Sequence, residues 1–364
     1  MKVLFVTESW PPAMNGVATS SVRLVTELRE RGHDTRVIAP TVDESPSPGL
    51  HRAKSMRVGP TQEYTVGRLG ARCVRMIEEW HPDIVHVASP LSVGYSALRA
   101  ARKRAIPTIA AYMTDFTAFA GQALARFPGH EAAGRLFGKV QQGVHSMATI
   151  NVACSQYALD TLRGWGSPVP REWLRAIDTT RFTPSARAAR LASRPEVRTI
   201  GYAGRLAGEK ELDLIASLQG IDGTRLKIIG DGPARSRLER LMPDAEFTGK
   251  LSGPGYPEAV SSLDLFVHPG RGETLSQVVL EALSSGVPCI VPDAGSGSTE
   301  LVTPGASGRH FAAGSSEALR AAALVELSER QRDPFEIAAT VGHRTWDSSM
   351  RSLLASYDEA LGAR

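Results

Sequence analysis

Two glutamates stand eight positions apart in "GRGETLSQVVLEALSSGVPCIVP", residues 270–292: Glu273 and Glu281. With a helix between them, the carboxylates lie roughly 10–12 Å apart along the axis. That is too far for two carboxylates working on one bond. It suits two ends of one elongated ligand. It equally suits two unconnected tasks, with Glu273 supporting the helix dipole and Glu281 solvated. The backbone N–H groups of Leu275, Ser276 and Gln277 fall at the helix start, where they lack intrahelical partners and suit sugar or phosphate oxygens.

A second grouping is "GYAGRLAGEKELD", where Arg205 and Lys210 flank Gly208 after a strand. Two cations at a strand end repel each other unless an anion lies between them. A diphosphate fits, with Arg205 giving forked donors and Lys210 a point charge. The alternative is a pair of solvated surface cations. The third grouping is Asn15-Gly16 in "PPAMNGVATSS", just before a helix start. It reads either as a phosphate-binding turn or as a tight strand-to-helix connection. No Walker P-loop, D-x-D, H-E-x-x-H or G-x-S-x-G motif occurs, and no full G-x-G-x-x-G follows the first strand. Nicotinamide and metal-dependent hydrolase readings lose ground accordingly.

These groups need a frame. The chain of 364 residues corresponds to about two domains. "KVLFVTE", "DTRVIAP", "DIVHVAS" and "PTIAAYM" read as buried strands, with helices between them at "VATSSVRLVTELRERG" and "SVGYSALRAARKRA". The alternation predicts an α/β fold with a parallel sheet covered on both faces. It restarts after the Arg-rich, strand-poor stretch 185–198, expected to be the linker. Then follow "TIGYAGR", a helix at "ELDLIASLQ", "LKIIGDG", a helix at "ARSRLERLM", "LDLFVHPG" and "PCIVP". The predicted organisation is a Rossmann-like domain over 1–184, a second over 199–344, and a closing helix over 345–364. Met350, Leu353, Leu354, Tyr357 and Leu361 share one face of that helix, which is expected to pack back on the first domain. Ligands of open parallel sheets bind beyond the carboxyl ends of the strands, and all three groupings fall there.

Net charge is +4, too mild to argue for nucleic acid. Three scattered cysteines, Cys73, Cys154 and Cys289, read as reduced thiols of a cytoplasmic protein. "MKVLFVTESWPP" does not read as a signal peptide, and no apolar run reaches the length of a membrane span.

Together "NGV", "GRLAGEK", "IIGDGPARSRLE" and "GETLSQVVLEALSSGVPCIVPDAGSGSTELV" resemble glycosyltransferase family 4, the retaining nucleotide-sugar transferases of the GT-B fold, in which two Rossmann-like domains face a central cleft. "GHDTRVIAP", "PDIVHVASP", "IDTTRFTP" and "FVHPGRGET" are most similar to its actinobacterial GDP-mannose-dependent α-mannosyltransferases. The resemblance implies that Glu273 binds donor-sugar hydroxyls and Glu281 the nucleoside ribose, which gives the eight-residue interval a reason. Arg205 and Lys210 match its diphosphate-binding pair. Gly16, with Asn15, matches the glycine loop under the same phosphates. Thr274, Leu275, Ser276 and Gln277 match the donors near sugar and phosphate, and Thr248 to Leu251 would lie by the nucleobase. Where many relatives carry His-Asp, this chain has Thr114-Asp115, so Asp115 becomes the candidate for orienting the acceptor. Ala176 stands where a glycine is usual. The implied chemistry is hexosyl transfer with retention and no metal, with a nucleotide-sugar as co-substrate, GDP-mannose favoured over UDP-sugars.

The acceptor is less defined. A lipid or glycan hydroxyl is favoured. Alternatives are a small-molecule natural product glycosylated from a UDP-sugar, and a non-catalytic binder or epimerase-like enzyme. Arg99, Arg102, Lys103 and Arg104 form either a solvated helix end or a basic patch for anionic lipid at the inner face of the plasma membrane. The stretch from Phe116 to His145 is either acceptor-side helix or core.

Overall fold

The run Val3–Val6 is apolar at every position because it is covered on both faces. In the computed structural model it belongs to β1 (Lys2–Thr7). The structure describes residues 1–11, 16–40, 49–58, 64–88, 90–117, 130–193, 196–329 and 331–363, so Asn15 and most of the turn before Gly16 lie outside it. The chain forms two compact units. The first takes the described residues up to Leu174 together with Ser349–Arg364, and the second takes Arg175–Ser348.

In the first unit β1 is followed by β2 (Asp34–Ala39) and β3 (Leu50–Arg52). An antiparallel ribbon of β4 (Lys54–Val58) and β5 (Tyr64–Arg68) comes next. Then follow β6 (Ile84–Ala88), β7 (Thr108–Tyr112), β8 (Ile150–Ala153) and β9 (Pro170–Glu172). The main sheet has the order β3-β2-β1-β6-β7-β8-β9, with every pairing parallel. Helices α1 (Gly16–Glu30), α2 (Ala71–Trp80), α3 (Ser92–Arg102), α4 (His130–His145) and α5 (Gln156–Gly164) connect the strands. Alternation along β1 sorts side chains between faces. Val3 and Phe5 pack with Leu24, Val25 and Leu28 of α1. Leu4 and Val6 pack with Met76 and Ile77 of α2 and with Val93 and Ala97 of α3. Of the stretch Phe116 to His145, α4 is described and residues 118–129 lie outside.

The second unit begins with α6 (Pro184–Ala192) and β10 (Arg198–Ala203). It continues with β11 (Thr224–Ile229), α7 (Arg235–Leu241), β12 (Glu246–Gly249), α8 (Gly255–Ser261) and β13 (Leu265–Val267). Then come α9 (Gln277–Ser284), β14 (Cys289–Asp293), α10 (Gly297–Leu301), β15 (Gly308–Ala312), α11 (Ser316–Ser328) and α12 (Pro334–Ala339). The strand order is β12-β11-β10-β13-β14-β15, again wholly parallel. It reverses between β10 and β13, and the crevice beyond the carboxyl ends at such a reversal is where open α/β sheets take ligands. The loops after these two strands carry Arg205, Lys210 and Glu273.

Two elements differ from the sequence expectation. "ELDLIASLQ" forms a 3₁₀ helix, Leu212–Leu218, entered through Glu211 in the left-handed region at φ 52°. The stretch expected to be the linker is largely α6, part of the second unit, and the unit changes at Leu174/Arg175. Its arginines are the reason. Arg187 is buried and donates to the Leu263 and Asp264 carbonyls, while Arg190 pairs with the Asp264 carboxylate. The other Asp264 oxygen accepts the Thr199 N–H at 2.7 Å. One buried carboxylate thus fastens α6 to the start of β10. The last helix, α13 (Trp346–Gly362), places Met350, Leu353, Tyr357 and Ala360 in the core of the first unit. Leu354 is only partly buried there and Leu361 half-buried. The Tyr357 hydroxyl meets His86 Nδ1 at 2.9 Å and Trp173 Nε1 donates to Ser349 at 3.0 Å. Among the described residues, no helix is long and apolar enough to cross a membrane.

Asp264→Ala would leave Arg187 buried without its carboxylate. We expect a loss of about 3 kcal/mol in stability, the usual cost of breaking a buried pair, read as a lower midpoint in urea denaturation. Arg187→Met, which removes the buried charge instead, should lose less.

Candidate active site

The site of the second unit is set by close approach of its loops. Gly230, at φ 141°, lies so near the loop after β10 that a Cβ there would stand 1.9 Å from the Gly204 carbonyl oxygen. On the other side, Gly297 donates its N–H to the Glu273 carbonyl at 2.8 Å, and a Cβ on it would stand 2.1 Å from the Thr274 carbonyl oxygen. The loop bearing Glu273 therefore rests on a helix start that only glycine permits.

Lys210 Nζ pairs with Glu273 Oε1, and Arg205 pairs with Glu209. The two cations are therefore not left repelling each other, since each has a carboxylate of the chain as partner. His268, at the end of β13 and only 1% exposed, brings its Nε2 to 3.5 Å from the same Glu273 oxygen. Burial alone would raise the Glu273 pKa, but the Lys210 charge and the His268 contact hold it well below the ordinary carboxylate range. The carboxylate is ionised, and Lys210 and His268 both approach Oε1.

Glu281 lies on α9 in the opposite electrostatic state. Burial pushes its pKa up to about 7, against the Tyr256 hydroxyl, Arg181, Gln277 and Arg175. Tyr256 donates to Glu281 Oε2 at 2.6 Å and stacks edge-on against Phe182. Arg181 lies 5.7 Å from the Phe182 ring centroid and donates to the Gly253 carbonyl at 3.1 Å. The helix opens at Gln277 rather than Leu275, with Ser276 as its N-cap. Ser276 Oγ is buried and has no hydrogen-bond partner among the described residues. Gln277 is engaged, accepting from Arg175 Nε at 3.3 Å and donating to the Ala176 carbonyl at 3.5 Å. Thr274 is buried and Leu275 half-buried beside them. Thr248 Oγ1 is turned to the Gly249 carbonyl at 2.8 Å, and Leu251 packs partly buried on the core below α9.

In the first unit, Gly16 opens α1 with no atom within 4 Å of where a Cβ would stand. Asp115 follows β7 and is 9% exposed. Its Oδ2 accepts from the Tyr157 hydroxyl at 2.8 Å and its Oδ1 from the Thr117 N–H at 2.9 Å. Arg99, Arg102 and Lys103 are exposed at the end of α3, while Arg104 pairs with Glu78. Sequence reasoning passed over three groups. His268 and Tyr256 were not singled out, although a polar side chain at the end of a buried strand such as "LDLFVH" is a usable signal. Glu8, just after β1, is half-buried and accepts from Leu91 N–H, Gly94 N–H and the Ser92 hydroxyl at 3.0, 2.9 and 3.1 Å. Burial raises its pKa against the backbone bonds that lower it. It occupies the α3 N-terminus with a carboxylate of the chain itself.

Two parallel-sheet units, with a charged carboxylate–lysine pair at the strand-order reversal of the second, fit the architecture of the GT-B glycosyltransferases. Comparison with known proteins agrees. The model of Glycosyltransferase Family 4 matches residues 14–181, and that of Glycosyl transferases group 1 matches residues 197–329. A GDP-mannose-dependent alpha-mannosyltransferase of Mycobacterium tuberculosis is 38% identical over 380 residues, spanning 100% of this chain and 98% of that protein. One of the same description from Mycolicibacterium smegmatis is 36% identical over 376 residues, spanning 100% and 99%. The structure of sucrose-phosphate synthase from Thermosynechococcus elongatus superposes with a TM-score of 0.79 at 16% identity, covering 100% of both chains, and shares the fold. The chain belongs to glycosyltransferase family 4. It is a hexosyltransferase that uses a nucleotide-sugar donor.

The raised Glu281 pKa has a measurable sign. Its contribution to stability is full below the ordinary value of 4.5 and is lost as pH rises through about 7, where the buried carboxyl must ionise. Glu281→Gln stays neutral throughout. Its melting temperature relative to the wild type should therefore rise between about pH 5 and about pH 8, by about 3 °C or more. Parallel melting curves for the two proteins would refute this.

Proposed function

We propose that this enzyme transfers mannose from GDP-mannose to a hydroxyl of a lipid or glycan acceptor, with retention and without a metal. The observation that carries the proposal is the Lys210–Glu273 pair at the β10/β13 reversal, in a chain more than one-third identical over its full length to two GDP-mannose-dependent transferases. In this reading Arg205 and Lys210 hold the diphosphate. Glu273 accepts from donor-sugar hydroxyls and Glu281 from the ribose. Ser276 Oγ and the N–H groups around Thr274, Leu275 and Gln277 serve sugar and phosphate oxygens, and Thr248 to Leu251 flank the nucleobase. Asn15 and Gly16 are assigned to the same phosphates.

The sugar C1–O bond breaks and its electron pair stays on the departing diphosphate, where the two cations stabilise the growing charge. The acceptor oxygen bonds to C1 from the face the diphosphate leaves. The acceptor proton passes to a phosphate oxygen. Asp115 is the acceptor-side carboxylate. Its oxygens accept from the Tyr157 hydroxyl and the Thr117 N–H, which fix its orientation. The exposed cations Arg99, Arg102 and Lys103 suit an anionic lipid surface on the cytoplasmic side.

Thermal shift with GDP, UDP, ADP and their sugars tests the donor. At a hundredfold over its Kd, GDP should add about 2.7 kcal/mol of stability, and UDP should add less at equal concentration. Stronger stabilisation by UDP would overturn the donor. Lys210→Ala and Glu273→Ala should each lower transfer at least about a hundredfold with the fold intact by circular dichroism. Near-normal turnover of either would sink the site assignment, and a β-anomeric product would sink retention.

A further inference from the structure

Glu273 has two partners of different character. Lys210 brings charge, and in the proposed reading that charge is needed by the diphosphate. His268 brings direction. It follows β13, whose hydrogen bonding it extends by donating its backbone N–H to the Ile290 carbonyl at 3.0 Å. Its ring is held beside Tyr202, with centroids 6.3 Å apart. The loop packs against it, since a Cβ on Gly270 would stand in ordinary contact, 3.4 Å from both His268 Cε1 and Lys210 Cα. The ring Nδ1 is buried with no hydrogen-bond partner among the described residues. A proton on Nδ1 would be an unmatched donor, and it would set an Nε2 lone pair against the lone pairs of Glu273. The proton therefore belongs on Nε2, facing Glu273 Oε1 at 3.5 Å. That separation is long for a formed bond, as is common in the absence of ligand.

We propose that His268 is a positioning residue for Glu273. Its Nε2–H holds Oε1 and turns Oε2 toward the donor sugar, and it keeps the carboxylate oriented when Lys210 engages the diphosphate. The inference rests on the reading that Glu273 contacts the donor sugar.

The test compares His268→Gln, His268→Asn and His268→Ala with Glu273→Ala, after melting curves establish that each folds. A glutamine amide reaches the place of Nε2, whereas an asparagine amide reaches only that of Nδ1. Calorimetry measures the Kd for GDP, which lacks the sugar, and for GDP-mannose. Initial rates give kcat. For His268→Ala and His268→Asn the GDP affinity should stay within about twofold of wild type. GDP-mannose affinity or kcat should fall about tenfold, the equivalent of one lost hydrogen bond to a charged group. His268→Gln should recover most of the loss. Wild-type behaviour of His268→Ala toward both ligands, or an equal loss of GDP and GDP-mannose binding, overturns the positioning role. If Glu273→Ala binds and transfers mannose normally, the reading beneath it falls as well. If Glu273→Ala fails and His268→Ala does not, only the inference about His268 falls.

Discussion

A carboxylate in a half-buried pocket at a strand end stays ionised only if a positive charge stands close by. The Lys210–Glu273 pair meets this need, joining residues 63 apart in sequence across the loops after β10 and β13. The geometry around it follows from the same demand. Gly297 leaves no side chain to hold the Glu273 loop away from the start of α10. Gly230 lets the loop after β11 close beneath that after β10. Such a pair contributes little net stability, because desolvation of both ions offsets most of their attraction. Its worth is in fixing where a charged oxygen and a charged nitrogen stand before any ligand arrives, which is the preorganisation that electrostatic catalysis uses.

The two glutamates of the opening motif differ in charge because their neighbours differ. Glu273 has a lysine in contact. Glu281 has a tyrosine hydroxyl in contact, with Arg181 and Arg175 lowering its pKa less than burial raises it, so that it titrates near neutrality. A ribose donating to Glu281 stabilises its ionised form. In the proposed reading, nucleoside binding therefore draws a proton off the enzyme while sugar binding at Glu273 does not. The same linkage makes affinity for the nucleoside, more than affinity for the sugar, sensitive to pH around neutrality.

The sequence carried the sheet architecture because parallel strands covered on both faces leave an unmistakable trace: unbroken runs such as "VLFV" and "DIVHV", with amphipathic helices between. It misled at "SARAARLASR". Arginine-rich and poor in strand formers, that stretch has the composition of a solvated segment. What makes it a helix bound to the second unit is Asp264, more than seventy positions away, and burial of one carboxylate converts Arg187 and Arg190 from surface charges into fastenings. Composition cannot report a partner so distant.

The site divides along the same line. Arg205, Lys210, Glu273 and Glu281 could be singled out as candidates because three of them follow strand ends and all four match motifs of the family, and Lys210 does meet Glu273. The pairing of Lys210 with Glu273, and of Arg205 with Glu209, was not, since two cations near a loop carry no sign of which carboxylate faces them. His268 was hidden by its own setting. A buried histidine at the end of an apolar run can pass for core, and burial of one ring nitrogen is what core histidines show, as His86 does beside Tyr357. The difference lies in the other nitrogen. In His86 it is satisfied by a neutral tyrosine hydroxyl within the core, whereas in His268 it faces an ionised carboxylate at the edge of the crevice. That carboxylate gives the imidazole a preferred tautomer and a direction, and the proposed positioning role of His268 rests on that difference from a core histidine.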